Sequence, residues 1–274
     1  MNIGTVIGFV FGLFILFLSI LFAVEFEFGR FLLFGSIESL LIVLGMTVAA
    51  TLIAYPFQDV KKVFDDFKKA FAEDESPVEQ YISGLATISN TYARGGDTKL
   101  SSLANEYADN QFIKEGLEYI ELRYTEALIK SIMSTQIQNE HQRLLSQVQI
   151  IKNMSANAPA FGVVGTLIGL VVMMSGLDPS DTEKLMQGLG SGMATALLTT
   201  FYGVLSSNFI FSPIATKIEK RIEDQILMMK VCMEGIILVL KKTPENMVRD
   251  QLKVYLPVQW ASISSNNAEQ TTES

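Results

Sequence analysis

The chain has 274 residues, 49% of them hydrophobic and 18% charged, and a formal net charge of −8. Soluble chains carry roughly 25% charged residues, so this composition excludes an ordinary soluble domain. The acidic balance argues against nucleic acid as a partner, because phosphate binding needs a clustered basic surface. One cysteine, Cys232, excludes an internal disulfide, and one histidine, His141, speaks against a zinc site; no metal site is expected.

Ile3 to Val24 holds no charge, and its length of roughly 20 residues suffices to cross a hydrocarbon core about 30 Å thick. A short polar connection, Glu25 to Arg30, leads to a second apolar block, Phe31 to Phe57, which stops at Tyr55-Pro56 and contains one acid, Glu38, near its outer end. These two blocks predict an antiparallel membrane hairpin over 1–57. Residues 58–157 read as soluble and helical: Val60, Val63, Phe64 and Phe67 share one helix face, and Tyr119 to Ile151 repeats that spacing at greater length. Gly95-Gly96-Asp97 marks a break between helices. The third block opens at Pro159 and the fourth closes at Ser212-Pro213, so 158–212 is expected to hold two more membrane helices. An amphipathic C-terminal segment follows over 213–260, and the polar tail 261–274 is expected to be disordered.

The predicted fold is therefore all-α and integral to the membrane, with four transmembrane helices and a helical cytoplasmic domain. Lys61, Lys62, Lys68 and Lys69 follow the second span, Lys152 precedes the third, and Lys217, Lys220 and Arg221 follow the fourth. The positive-inside rule then puts both termini and residues 58–157 in the cytoplasm. The third and fourth blocks carry Gly162, Gly165, Gly169, Gly190, Gly192 and Gly203 together with Thr166, Thr195, Thr199 and Thr200. Small residues let helices approach closely, and hydroxyls either bond across the interface or face a wet cavity. Neither helix has an ionisable residue in its apolar core, although such residues mark ion paths in membranes. An ion-conducting chain of this kind needs its carboxylate from another polypeptide.

The run Asn157–Val171, with Pro159, Gly162, Gly165, Thr166 and Gly169, resembles the third-helix signature of the MotA/PomA stator proteins. Gly192–Leu205 and the following Phe211-Ser-Pro resemble that family's fourth helix, and the four-span topology matches along nearly the whole chain. The resemblance implies a homopentameric ring around two copies of a single-span MotB/PomB-type B subunit, whose membrane aspartate binds the travelling ion. It also implies a rotor protein of the FliG type on the cytoplasmic side, a bacterial inner-membrane location, and ion flow converted to torque. By the same resemblance Pro159 and Pro213 couple ion movement to conformational change, and Thr166 and Thr200 stand where relatives carry ion-path hydroxyls; Thr199 is a further ion-path candidate. The transported ion is a proton or sodium, with sodium favoured by the hydroxyl oxygens; no cofactor is expected. Arg94 is the candidate rotor-interface residue, although Ser102 stands where the family pattern has its acid, with Asp97 and Glu106 nearby. Glu38 is a candidate cation attractor at the pore mouth. The rival readings are an ExbB/TolQ-like energiser, which has three spans, and a secondary transporter, which needs internal repeats. No nucleophile–base set or phosphate loop supports an enzyme.

Overall fold

The computed structural model describes residues 3–70, 78–95, 110–176 and 182–255, which are almost wholly helical. The chain divides into two compact units, Met1–Asp74 with Leu145–Lys220, and Glu75–Leu144 with Arg221–Ser274.

The first unit begins with α1 (Ile3–Ala23), whose Ile7, Val10, Phe11, Phe14 and Phe22 are exposed. An uncharged helix that turns such side chains outward is made for lipid. The second span is not one regular helix. A 3₁₀ turn at Leu32–Phe34 precedes a break at Gly35-Ser36, and the chain resumes as Ile37–Leu40, a π-turn at Leu41–Gly45, and α2 (Met46–Ala54). Thr47 and Thr51 are buried there, and each hydroxyl donates to the carbonyl one turn back, Val43 at 2.7 Å and Thr47 at 2.8 Å. Tyr55 caps α2 in an extended conformation, as the residue before a proline must. α3 (Phe57–Ala70) follows, with Val60 and Val63 buried as the spacing predicts.

In the second unit, α4 (Val78–Gly95) contributes Val78, Ile82, Leu85 and Ile88 to a closed apolar core. α5 (Gln111–Glu121) adds Ile113, Leu117 and Ile120, and the C-terminal helices add Val231, Ile236, Val248 and Leu252. The helix expected over Tyr119 to Ile151 is interrupted. Arg123 adopts a left-handed conformation, the Tyr124 amide donates back to the Tyr119 carbonyl, and the Thr125 hydroxyl caps the next helix at the Leu128 amide. Together these form a helix stop without glycine.

Beyond that turn, α6 (Glu126–Ser175) runs for 50 residues with Pro159 inside it. The sequence placed a helix start at Pro159, and the structure corrects this: no helix begins there. Pro213 likewise lies inside a continuous helical run. α7 (Thr182–Leu205) passes through a π-turn at Ser206–Phe211 into α8 (Ser212–Leu240), after which α9 (Glu245–Lys253) closes the described chain. Among the described residues, three helices are long and apolar enough to cross a membrane, within Gly4–Ala23, Leu32–Ala54 and Glu126–Ser175. The expected fourth, Leu189 to Phe211, is not among them, because its α-helix ends at Leu205 and glycine and threonine dilute its apolarity. The tail 261–274 lies outside the described residues, as do Asp97, Ser102 and Glu106.

Candidate functional site

The glycines of α6 and α7 form a seam between the two helices. A Cβ on Gly169 would lie 2.6 Å from the Gly192 carbonyl oxygen and 2.7 Å from the Ala196 nitrogen. One on Gly192 would lie 2.5 Å from Met173 Cβ, and one on Gly203 would lie 2.8 Å from the Ala158 carbonyl oxygen. Real Cβ atoms cannot sit that close to backbone, so hydrogen is the only side chain these positions accept. The seam therefore explains most of the small residues by packing alone.

Proline shapes one end of this seam. Pro159 has no N–H to give the carbonyl of Ser155, four residues back. That carbonyl instead accepts from the Ser207 hydroxyl at 2.7 Å, and the Ser155 hydroxyl returns toward Ser207, 3.2 Å from its carbonyl and 3.0 Å from its hydroxyl. The vacancy that proline creates in one helix is filled by a serine of its neighbour. Pro213 deprives Phe209 of its helical partner in the same way, and Phe209 lies in the π-turn Ser206–Phe211, a form that accommodates a lost i→i−4 bond. Ser207 carries a role that the sequence reading did not single out, although counting four residues back from Pro159 points to a carbonyl in need of a donor.

The three candidate threonines separate. Thr199 is fully buried, bonds the carbonyls of Thr195 and Ala196 at 3.0 Å each, and presses its side chain on Gly165. It packs the seam. Thr200 is exposed beside Met193, Leu197 and Val204, and its hydroxyl makes only a 3.4 Å bond to Ala196. Thr166 is half-buried, and its hydroxyl donates to the Val163 carbonyl at 2.6 Å. Each of these hydroxyls gives its proton to its own helix, so an oxygen lone pair is what it offers to anything outside. No Asp, Glu, Lys, Arg or His stands between Asn153 and Gly176 or between Leu185 and Phe211. These two helices can offer oxygen ligands and no compensating charge.

Tyr202 is the second residue the sequence reading missed. Its hydroxyl donates to the Phe34 carbonyl and accepts from the Ser36 amide at 3.1 Å. The break at Gly35-Ser36 interrupts the helical hydrogen bonding, and α7 supplies partners to the Phe34 carbonyl and the Ser36 amide. Glu38 follows in the first turn after the Ser36 cap, exposed, where a carboxylate suits the helix dipole.

Arg94 is exposed in the last turn of α4, in the second unit. It stands near Glu245, which accepts from Arg249 at 2.9 Å and from Asn90 at 2.9 Å. The Arg249 hydrogen bond, then that of Asn90, holds the Glu245 carboxyl below its ordinary value, and Arg94 adds to the pull.

Residues 104–231 match the family described as the MotA/TolQ/ExbB proton channel family. A Bacillus subtilis protein described as uncharacterized protein YtxD is 34% identical over 81% of this chain and 79% of its own length. Chemotaxis protein PomA of Vibrio alginolyticus is 26% identical over 83% of this chain and 87% of its own. The fold is shared with the C. jejuni MotAB structure, at a TM-score of 0.81 and 18% identity over 94% of this chain and 97% of that one.

Proposed function

The chain belongs to the MotA/TolQ/ExbB proton channel family, and on that premise we propose that it is the ion-channel subunit of a flagellar-motor-like stator. The observation that carries this reading is the wall of α6 and α7. It is held by a glycine seam, offers hydroxyl oxygens at Thr166 and Thr200, and bears no charge of its own. A conducting path needs a carboxylate, which a single-span MotB/PomB-type partner with a membrane aspartate supplies in this reading.

The assembly is a ring of five copies around two partner chains, multi-pass in the bacterial inner membrane. α7 serves as the fourth span, and both termini and residues 58–157 face the cytoplasm. There, a rotor protein of the FliG type meets the face that carries Arg94. The likeness to motility proteins and to a MotAB structure supports this over an ExbB/TolQ-like energiser. The cargo is a proton or sodium ion, with the two hydroxyl oxygens favouring sodium. In native mass spectrometry of the tagged chain, extracted mildly from its own membranes, the expected species holds five copies plus two of a smaller chain. Liposomes containing that complex should take up ions, and liposomes containing the chain alone should not. Monomers or dimers only, or strong conductance from the chain alone, would overturn the reading.

A further inference from the structure

Between α1 and the start of α8 lies an apolar cavity of about 320 Å³, within the size range of small-ligand sites. Its walls are Gly8, Phe209, Pro213 and Ile214, and its mouth is made by Thr5 and Lys217, the one charged residue that lines it among the described residues. The cavity opens where two helices part. One turn deeper, Gly12 is in tight contact: a Cβ there would lie 2.3 Å from the Phe209 ring, which also stacks on Phe9 at 5.3 Å. At Gly8 a Cβ would meet nothing within 4 Å. From Gly12 back to Thr5 the groove runs roughly 10 Å, at 1.5 Å of rise per residue. At its mouth the Lys217 ammonium donates to the Thr5 hydroxyl.

We propose that this groove binds an anionic phospholipid, with one acyl chain along Gly8 and Phe209 and the phosphate on Lys217 and Thr5. The chemistry divides along the groove as it does along a lipid: apolar for most of its length, with a cation and a hydroxyl at one end. A lysine in this position reaches from an apolar groove to the polar boundary of the bilayer, where anionic headgroups attract basic side chains. The groove wall includes Pro213, so the lipid touches the segment next to the π-turn. The inference rests on α1 and α7 being membrane-embedded.

The test is native mass spectrometry of the full chain in mild detergent with added phosphatidylglycerol or phosphatidylcholine, for wild type, Lys217→Gln and Gly8→Leu. Gly8→Leu fills open space in the groove, so the helix itself is unstrained. The expected result is retention of phosphatidylglycerol several-fold above phosphatidylcholine in wild type. Lys217→Gln should lose that preference, and Gly8→Leu should lose bound lipid of both kinds. Equal retention of both lipids by wild type, or lipid counts unchanged in Gly8→Leu, would overturn the proposal and leave the channel reading intact. If Gly8→Leu instead breaks the ring into protomers, a neighbouring copy occupies the groove and the proposal falls. A chain that stays in aqueous buffer without detergent would sink both readings together.

Discussion

Ser207→Ala removes the hydroxyl that serves the Ser155 carbonyl at 2.7 Å. In most membrane helices such a loss is small, with interhelical hydroxyl bonds averaging about 0.6 kcal/mol and reaching roughly 1.7. Here the upper end applies, because Pro159 removes the i→i−4 donor that would otherwise serve this carbonyl. We expect a destabilisation of about 1.5 kcal/mol, which lowers the melting temperature by roughly 3–6 °C for a chain of this size. In a Pro159→Ala background residue 159 regains its N–H, the i→i−4 bond to Ser155 closes, and Ser207→Ala should cost no more than about 0.5 kcal/mol. The two substitutions should thus be non-additive by about 1 kcal/mol, beyond the roughly 0.3–0.5 kcal/mol scatter of independent sites. The assay is the four-protein cycle (wild type, both singles and the double), each heated in detergent and scored by the folded fraction on size exclusion. Additive shifts would refute the argument that proline created the need for the serine.

Gly169→Ala forces a carbon against the Gly192 carbonyl and the Ala196 nitrogen, so it should destabilise by about 1–3 kcal/mol. Gly190→Ala, with nothing within 4 Å, should raise stability by up to about 1 kcal/mol through helix propensity; the same thermal assay checks both, and equal signs would refute the seam. Thr200→Val should cut partner-dependent ion uptake while the ring still assembles, whereas Thr199→Val should act on stability, because its side chain packs on Gly165; the check is uptake by liposomes at low and high sodium. Tyr202→Phe leaves the Phe34 carbonyl and the Ser36 amide without their partner and should cost about 1–3 kcal/mol in the same melts. Glu245 has a folded pKa below its unfolded value, so its contribution is present above the unfolded pKa and is lost as pH falls through the folded one. Acid titration below about pH 4.5 should therefore loosen the α4–α9 contact, followed by hydrogen exchange, and Glu245→Gln should remove that pH dependence.

Much of the fold is written in local spacing, and that part is legible. The charge-free run of α1, the extended residue before Pro56, and the buried Val60 and Val63 all stand where composition and periodicity put them. Glycine-rich stretches announced close packing, and α6 and α7 provide it. What escaped depends on partners distant in the chain. Tyr202 serves a break 168 residues earlier, and no local pattern marks a tyrosine for that task. Prolines were read as helix boundaries because an isolated helix breaks at them. Here a serine 52 residues beyond Ser155 supplies one lost bond, and a π-turn accompanies the other. The turn at Leu122–Thr125 was hidden because it uses Arg123 in a left-handed conformation where glycine is usual. Thr199 and Thr200 are adjacent in sequence and differ only by about 100° around a helix, enough to put one in the seam and the other on the outer face.

The uncharged wall of α6 and α7 also bears on symmetry. Any residue of a chain that forms a closed ring is repeated in every copy. An acid at Thr200 would become a circle of like charges facing one another, and each would raise the pKa of the next. Inserting each copy would also carry a penalty of about 2.5–3.5 kcal/mol for its buried charge. Keeping Asn153–Gly176 and Leu185–Phe211 free of charge escapes both effects, and in the proposed stator leaves the ion-binding groups to the partner chain.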